Sequence, residues 1–568
     1  MIKIPYGESD YRKVILGNYF YQDRTHYIPF LETHGGSFLL FLRPRRFGKS
    51  LTTSMLRYYY GAQYKNDFQT LFGNYSVGQN PTAFANQYMI LHFDFSGINT
   101  TSEEKTAQGF MKRIVEGADK FFKAYPKAFT KEQQKKILER SEPNELASAL
   151  LTAHDTNGLQ HKIYVLIDEY DHFANELISF NFPYFSQAVS QNGFVRKFYE
   201  VLKIATWDST IDRIFITGVS PITMDSMTSG FNIASNITLK HRFHDMMGFT
   251  ESEVRKLMQL IEVPENQLDS VMNDLRLWYD GYRFEGDIPH HLYNPNMVLY
   301  FAQLYQDEKK YPKELLDANI ASDYMKIRNL FNIQNQEGRF IAVLDALTQQ
   351  GEIASSLVRH FSLQRDFNSN DLVSLLFYMG FLTIKTDDLG GYIFTFPNYV
   401  IKKLYNNYFL ELVRNQTELQ IDNLYIDNAI KTMARDGNPT AFFDQVAQIV
   451  KRMSPRDAAH FTENSLKAIV VSLLHQQNFY YVHTEYETDW KYMDVFLEAI
   501  RGYKVNFDVA LELKFAKKAG KVAINTLFKE ANQQLKDYLA TDKFNQRTNI
   551  KSWILVVAGD KLAWRALT

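Results

Sequence analysis

Gly48-Lys49-Ser50 closes the loop in FLRPRRFGKSLTTSML, residues 41–56. A loop of this kind binds phosphate because successive backbone N–H groups point into an anion at a helix N-terminus, while a lysine reaches the outer phosphates and a hydroxyl holds magnesium. Lys49 and Ser50 are the residues for those two tasks, and Arg46, Phe47, Gly48 and Leu51 complete the candidate cradle. Arg43 stands where such a loop usually has its first glycine, and a side chain makes left-handed backbone angles costlier there. In HKIYVLIDEYDHF an apolar strand ends in Asp168-Glu169. Asp168 is placed as a second magnesium ligand, and Glu169 as the group that orients or activates an attacking water. RIFITGVSP ends in Thr217 and Ser220, polar residues where a terminal phosphate would be sensed. The plain alternatives are an acidic turn after a buried strand and, for Arg43, Arg45 and Arg46, bracing of the loop against nearby carboxylates in place of pairing with phosphates or acting across a subunit interface. Three strand-end features in this chain order nevertheless predict ATP binding and hydrolysis, with ATP and Mg²⁺ as cofactors, over residues 1–250.

A second set of acids lies near the other end. In NFDVALELKF, side chains alternate between faces, so Asp508, Ala510, Glu512 and Lys514 share one side, opposite Phe507, Val509, Leu511, Leu513 and Phe515. A carboxylate beside an amine on the polar face is able to hold a metal ion and position or polarise a water. The preceding strand, KYMDVFLEAI, adds Asp494. Magnesium suits a site of few hard oxygen ligands that retains water, with Asp494 and Glu512 as ligands and Lys514 as the assisting amine. An edge strand with a charged face would read the same way.

The elements that must position these residues follow from hydrophobic pattern. SFLLFLRP, QYMILHFDFSG, HKIYVLIDEYD and IDRIFITGVSP are continuous apolar runs separated by helical stretches, which predicts a parallel sheet between helices and places the chain in the α/β class. Residues 251–445 turn helical and aromatic. Near 370–400 a helix, NDLVSLLFYMGFLTIK, leads through DDLGG into YIFTFPNYV, the outline of a winged helix, although a helical spacer is the preferred reading because no basic recognition helix accompanies it. Residues 446–568 begin with the helix HFTENSLKAIVVSLLHQQ and run αβββαβ, a second α/β domain.

Size and composition agree with several cores: 568 residues, 45% hydrophobic and 15% aromatic. No cysteine is present, which excludes disulfides, thiolate metal sites and thiol nucleophiles. The N-terminus lacks the pattern of a signal peptide and no apolar run reaches membrane-spanning length, so a cytoplasmic protein with no membrane partner is expected. Net charge is −1, but from Lys514 onward there are 11 Lys or Arg against 4 Asp or Glu, an excess of seven positive charges that permits contact with a phosphate backbone.

The stretches YGESDYRKVILGNYFYQDRTHYIPFLE, FLRPRRFGKSL, LIDEYD, FITGVSPI, GFTESEV and WYDGYRF followed by YNP resemble the predicted AAA-type ATPases of bacteria and archaea that carry a C-terminal nuclease-like domain. The resemblance makes Arg43 a family feature, since RPRRFGKS is the form of the loop in that group. It implies a P-loop NTPase domain, a helical or winged-helix-like middle and a restriction-endonuclease-like domain of the PD-(D/E)XK type, in which Asp494, Glu512 and Lys514 are the catalytic set. By the same resemblance Gln534 and Tyr538 form the QxxxY pair that some branches of this nuclease group carry after the lysine, and Glu463 is placed like an additional acid. Met493 departs from the pattern where the name-giving proline would stand. The expected activity is an ATP-dependent or ATP-regulated nuclease acting on nucleic acid, DNA favoured. An ATP-driven switch or scaffold whose nuclease-like domain binds without cutting is the alternative, a small-molecule kinase is a poorer third, and a homo-oligomer is left open.

Overall fold

The computed structural model describes residues 2–567 except 181, 190–191, 224–233, 318, 321–342, 344–345, 348–349, 362–366, 418–421, 453–461, 489–490, 517–520, 546 and 560. Its contacts divide the chain into two units, Met1–Asp307 with Asp317–Val343 and Glu352–Tyr399, and Glu308–Leu316 with Leu344–Gly351 and Val400–Thr568. The middle region expected over 251–445 is thus shared between them. Part of its sequence lies outside the described residues. Among the described residues, no helix is long and apolar enough to cross a membrane.

The first unit is built on five parallel strands, β1 (Phe38–Leu42), β2 (Met89–Asp94), β3 (Ile163–Asp168), β4 (Ile211–Gly218) and β5 (Ser235–Asn236), in the order β2-β3-β4-β1-β5. Every residue of β3 is buried, which is why IYVLID reads as an unbroken apolar run. Helices Glu103–Ala124, Pro143–Thr156 and Phe194–Trp207 bury one apolar stripe each against neighbouring elements. One strand, β4, separates the strand that feeds the phosphate loop from the strand that ends in Asp168. Parallel pairing brings all their C-terminal ends to the same edge, where ligands of open α/β sheets bind. The hairpin expected near 370–400 is present as β7 (Thr383–Asp388) and β8 (Gly391–Thr395) after helix Ser369–Tyr378. β6 (Glu352–Ser355) completes a three-stranded sheet with them.

The second unit carries β9 (Tyr480–Thr488), β10 (Lys491–Ala499), β11 (Asp508–Ala516), β12 (Ile550–Ala558) and β13 (Lys561–Ala566), in the order β13-β12-β11-β10-β9. β11 and β12 are parallel, joined across helix Lys521–Leu539, and the other pairs are antiparallel. The sheet has two cores. Val495, Leu511 and Leu513 pack with Leu466 and Leu473 on one face, while Met493, Phe496 and Ala510 pack with Leu535 and Tyr538 on the other. Met493, fully buried, serves there as an ordinary core residue. The αβββαβ reading lacked only β13, whose half-exposed KLAWRA carries no clean alternation.

Candidate functional sites

In the first unit, Arg46 and Gly48 take left-handed backbone angles, with φ of 64° and 95°, and helix Lys49–Tyr60 begins immediately after them. Arg43 is not among the left-handed residues, so the first-glycine position needs no glycine here. Its guanidinium is fully buried and donates to the carbonyls of Leu42, Thr238, Phe243 and His244 at 2.9–3.2 Å, lying over the rings of Phe41 and Phe284. Arg43 therefore braces the loop, as the plain alternative held, but through backbone carbonyls and not through carboxylates. The YDGYRF and YNP stretches do the same work from outside. Phe47 packs edge-on against Tyr282 and Phe284, and the Asn294 amide donates to the Arg45 carbonyl at 3.4 Å. Arg283 points elsewhere, donating to the carbonyls of Ile384 and Ile288.

Residues 46–52 line a cavity of about 300 Å³ together with Glu169, and the remaining wall comes from residues 5–9, 20–24, 246–249 and 295–299. Lys49 is buried and its ammonium donates to the Arg43 and Pro44 carbonyls at 3.1 and 3.0 Å, a resting contact that a bound anion competes for. Burial raises the Asp168 carboxyl to about 7, Ser50 donating to it while Glu169 and Asp94 add negative charge nearby. Asp94, at the end of β2, is the register partner of Asp168, an acid that the sequence reading passed over. Burial opposes the charge of Glu169, but the hydrogen bond from His172, at 3.2 Å, and the nearness of Lys49 and Arg45 hold its carboxyl well below the usual range. Glu169 also sits at φ 50°, a strained angle for a non-glycine residue of the kind found at functional turns.

The donor set fits magnesium and a polyphosphate: a hydroxyl and carboxylates at one strand edge, facing a loop whose lysine donates to the loop's own carbonyls. Two expected residues stand apart. Thr217 is fully buried, its hydroxyl has no partner among the described residues, and it is not part of the cavity wall. Ser220 donates to Asp171, which also takes the Val219 and Ser220 amides and so ties the end of β3 to the end of β4. The apolar wall residues Phe20, Phe249 and Leu299 were not picked out from sequence, because each reads as ordinary core.

In the second unit, β10 and β11 pair from Val495–Leu511 inward and part beyond it. Where the ladder stops, Asp494 Oδ2 accepts the Leu513 amide at 2.9 Å. Glu512 is 2% exposed; Lys514 donates to its Oε1 at 3.0 Å, and its Oε2 has no partner among the described residues. Burial first, then the charge of Asp494, raises the Glu512 carboxyl to about 7. Glu463, at the start of helix Glu463–Leu474, accepts the Phe515 amide at 3.2 Å and lies 3.8 Å from Lys514. Tyr538 is buried, and burial, followed by the charges of Glu512 and Asp494, pushes its phenol up to about 12. Gln534 is exposed on the same helix.

The sequence reading missed Lys467. One turn beyond Glu463, its nearly buried ammonium lies 3.5 Å from Asp494 and donates to Glu485. The signal was the i, i+4 pair Glu463 and Lys467, which reads on its own as a solvated helix face. Among the described residues, four carboxylates against two ammonium groups leave a formal charge of −2, and the Glu512 oxygen is a buried acceptor with no partner there. Both features fit a divalent cation.

Comparisons with known proteins match two separate stretches of the chain. Residues 5–228 match the family described as predicted AAA-ATPase, and residues 461–565 match the PD-(D/E)XK nuclease superfamily. A protein of Azotobacter chroococcum mcd 1, described as an uncharacterized protein in the vnfD 5′ region, is 25% identical over 414 residues, which span 72% of this chain and 70% of its own. The Walker-type ATPase paby2304 of Pyrococcus abyssi aligns at 13% identity with a TM-score of 0.39, covering 67% of this chain and 94% of its own. The two candidate sites therefore lie in stretches similar to a predicted AAA-ATPase and to the PD-(D/E)XK nuclease superfamily.

Proposed function

We propose that the protein is an ATP-dependent or ATP-regulated nuclease that hydrolyses phosphodiester bonds, with DNA the favoured substrate. The observation that carries this reading is the convergence of Asp494, Glu512, Lys514 and Glu463 where β10 and β11 part, with one Glu512 oxygen buried and, among the described residues, unpartnered. Asp494 and Glu512 would hold Mg²⁺, which supplies Lewis acidity and a bound water of lowered pKa. Lys514, fixed by Glu512 and Glu463, orients that water and faces the developing negative charge on the phosphate. Tyr538 brings a phenol near Glu512 and Asp494 from helix Lys521–Leu539.

At the other site Lys49 leaves its loop carbonyls to hold the outer phosphates, with the amides around Gly48 as the cradle. Ser50 and Asp168 would hold Mg²⁺ there. Glu169, kept ionised by His172, accepts a proton from or orients the attacking water. Phe20, Phe249 and Leu299 supply apolar wall for a base.

One observation favours the second reading, a switch or scaffold that does not cut. The ammonium of Lys467 already stands beside Asp494, where added positive charge is needed for metal chemistry. Incubation of the purified chain with linear and circular DNA, with and without Mg²⁺ and ATP, separates the two. Cleavage lost in Lys514→Ala and kept in Lys529→Ala supports the nuclease; ATP turnover without cutting of any DNA or RNA supports the switch.

A further inference from the structure

Beside the phosphate-loop cavity but outside its donor set, the turn His241–Met246 contributes His244 and Asp245, and the loop after Arg283 contributes His290. One ligand atom of each lies within 4.8 Å of the others. His290 Nε2 is 2.7 Å from Asp245 Oδ1, and His244 Nε2 is 4.0 Å from the same oxygen. A tetrahedral zinc ion with ligand bonds of about 2.0–2.1 Å spaces its donor atoms by roughly 3.3 Å, so the three need only sub-ångström to ångström-scale adjustments to share one ion.

The independent sign of a missing ligand is His244. Its side chain is 2% exposed, yet neither ring nitrogen has a hydrogen-bond partner among the described residues. A buried imidazole without a partner is costly, and a metal ion satisfies it. Burial, and then the charge of Arg43, keep this ring neutral, the form that ligates. Asp245 and His290 are partly exposed, at 33% and 46%, which leaves an entry path and room for water as a fourth ligand. Arg43 opposes a cation here; Asp245 offsets it, and the Nη1 and Nη2 donors of Arg43 are already committed to carbonyls, including those of Phe243 and His244.

We propose that His244, Asp245 and His290 form a site for a divalent transition-metal ion, Zn²⁺ foremost, that pins the His241–Met246 turn. Two imidazole nitrogens and one carboxylate suit zinc and disfavour magnesium or calcium. Through the carbonyls of that turn the ion steadies Arg43 beneath the phosphate loop. Through Met246, Met247 and Gly248 it steadies one wall of the adjoining cavity.

The test uses the full chain, stripped with a chelator and kept in millimolar Mg²⁺ so that sites of hard oxygen ligands are filled, then titrated with Zn²⁺ against a chromophoric competitor. Lacking cysteine, the chain has no thiolate to confuse the result. The expected result is one saturable equivalent, weakened at least about tenfold in His290→Ala and in Asp245→Asn, and a melting temperature that one equivalent of Zn²⁺ raises in the parent but not in His290→Ala. Both substituted side chains are partly exposed, so the variants are expected to fold. No saturable equivalent, or an affinity unchanged in both variants, overturns the proposal.

Discussion

The two candidate sites handle charge in opposite ways. At the phosphate loop Asp168 takes a hydroxyl, Glu169 takes an imidazole with Lys49 and Arg45 nearby, and Lys49 rests on its own backbone. At the β10–β11 divergence, Lys514 lies against Glu512 and Glu463, and Lys467 lies against Asp494 and Glu485. The first arrangement suits a visitor that brings both signs, a polyphosphate with its magnesium. The second carries internal cations and still keeps a net negative charge, which suits a bare divalent ion and a substrate phosphate that arrives later.

The largest effect is expected of Lys49→Ala, which should reduce ATP turnover at least about a hundredfold while leaving metal binding at Glu512 unchanged. Turnover that survives places the nucleotide elsewhere. Glu169→Gln sharpens the same side. It is expected to retain nucleotide binding but to lower kcat by about 10²–10⁴, and an equal loss of binding would make Glu169 a cradle residue. On the other side, Lys467→Ala removes an internal cation, so Mg²⁺ should bind the second unit several-fold tighter. A weaker affinity would mean that Lys467 positions Asp494 instead of competing with metal.

The pH dependence has a defined sign. Asp168 and Glu512 both titrate near 7 in the folded chain, above the ordinary carboxyl range. At these two groups the folded state therefore binds more protons than the unfolded one between roughly pH 4 and 7, so their own contribution to metal-free stability falls as pH rises through that window. Mg²⁺ must displace those protons, so its affinity should rise from pH 6 to 8 in calorimetric titrations, and a flat profile would contradict the burial argument. The smallest expected effect is structural. A Cβ on Gly281, at φ 102°, would lie 1.8 Å from the Pro397 carbonyl oxygen, so Gly281→Ala should cost more than ~1 kcal/mol in chemical denaturation.

Much of this was legible in sequence because strands buried on both faces leave unbroken apolar runs, and the chemistry sits at their ends. SFLLFL, YMILHFDF and IYVLID located the first sheet, and ELK with its alternation located Glu512 and Lys514 on one face. What escaped was set by tertiary contact. β5 is two residues long and has no pattern to show. Lys467 is an ordinary helical lysine until Asp494 comes beside it. Arg43 looked like a candidate for phosphate or carboxylate, and only the fold gives it four backbone carbonyls. Thr217 has the right type and the right strand end, but its hydroxyl is fully buried and outside the cavity wall.

Electron paramagnetic resonance titration of the full chain with Mn²⁺, standing in for Mg²⁺, addresses the division between the sites most directly. Two classes of bound ion are expected, one that requires ATP and vanishes in Lys49→Ala, and one that needs no nucleotide and vanishes in Glu512→Gln. A single class, or a nucleotide-independent ion that persists in Glu512→Gln, would contradict the account.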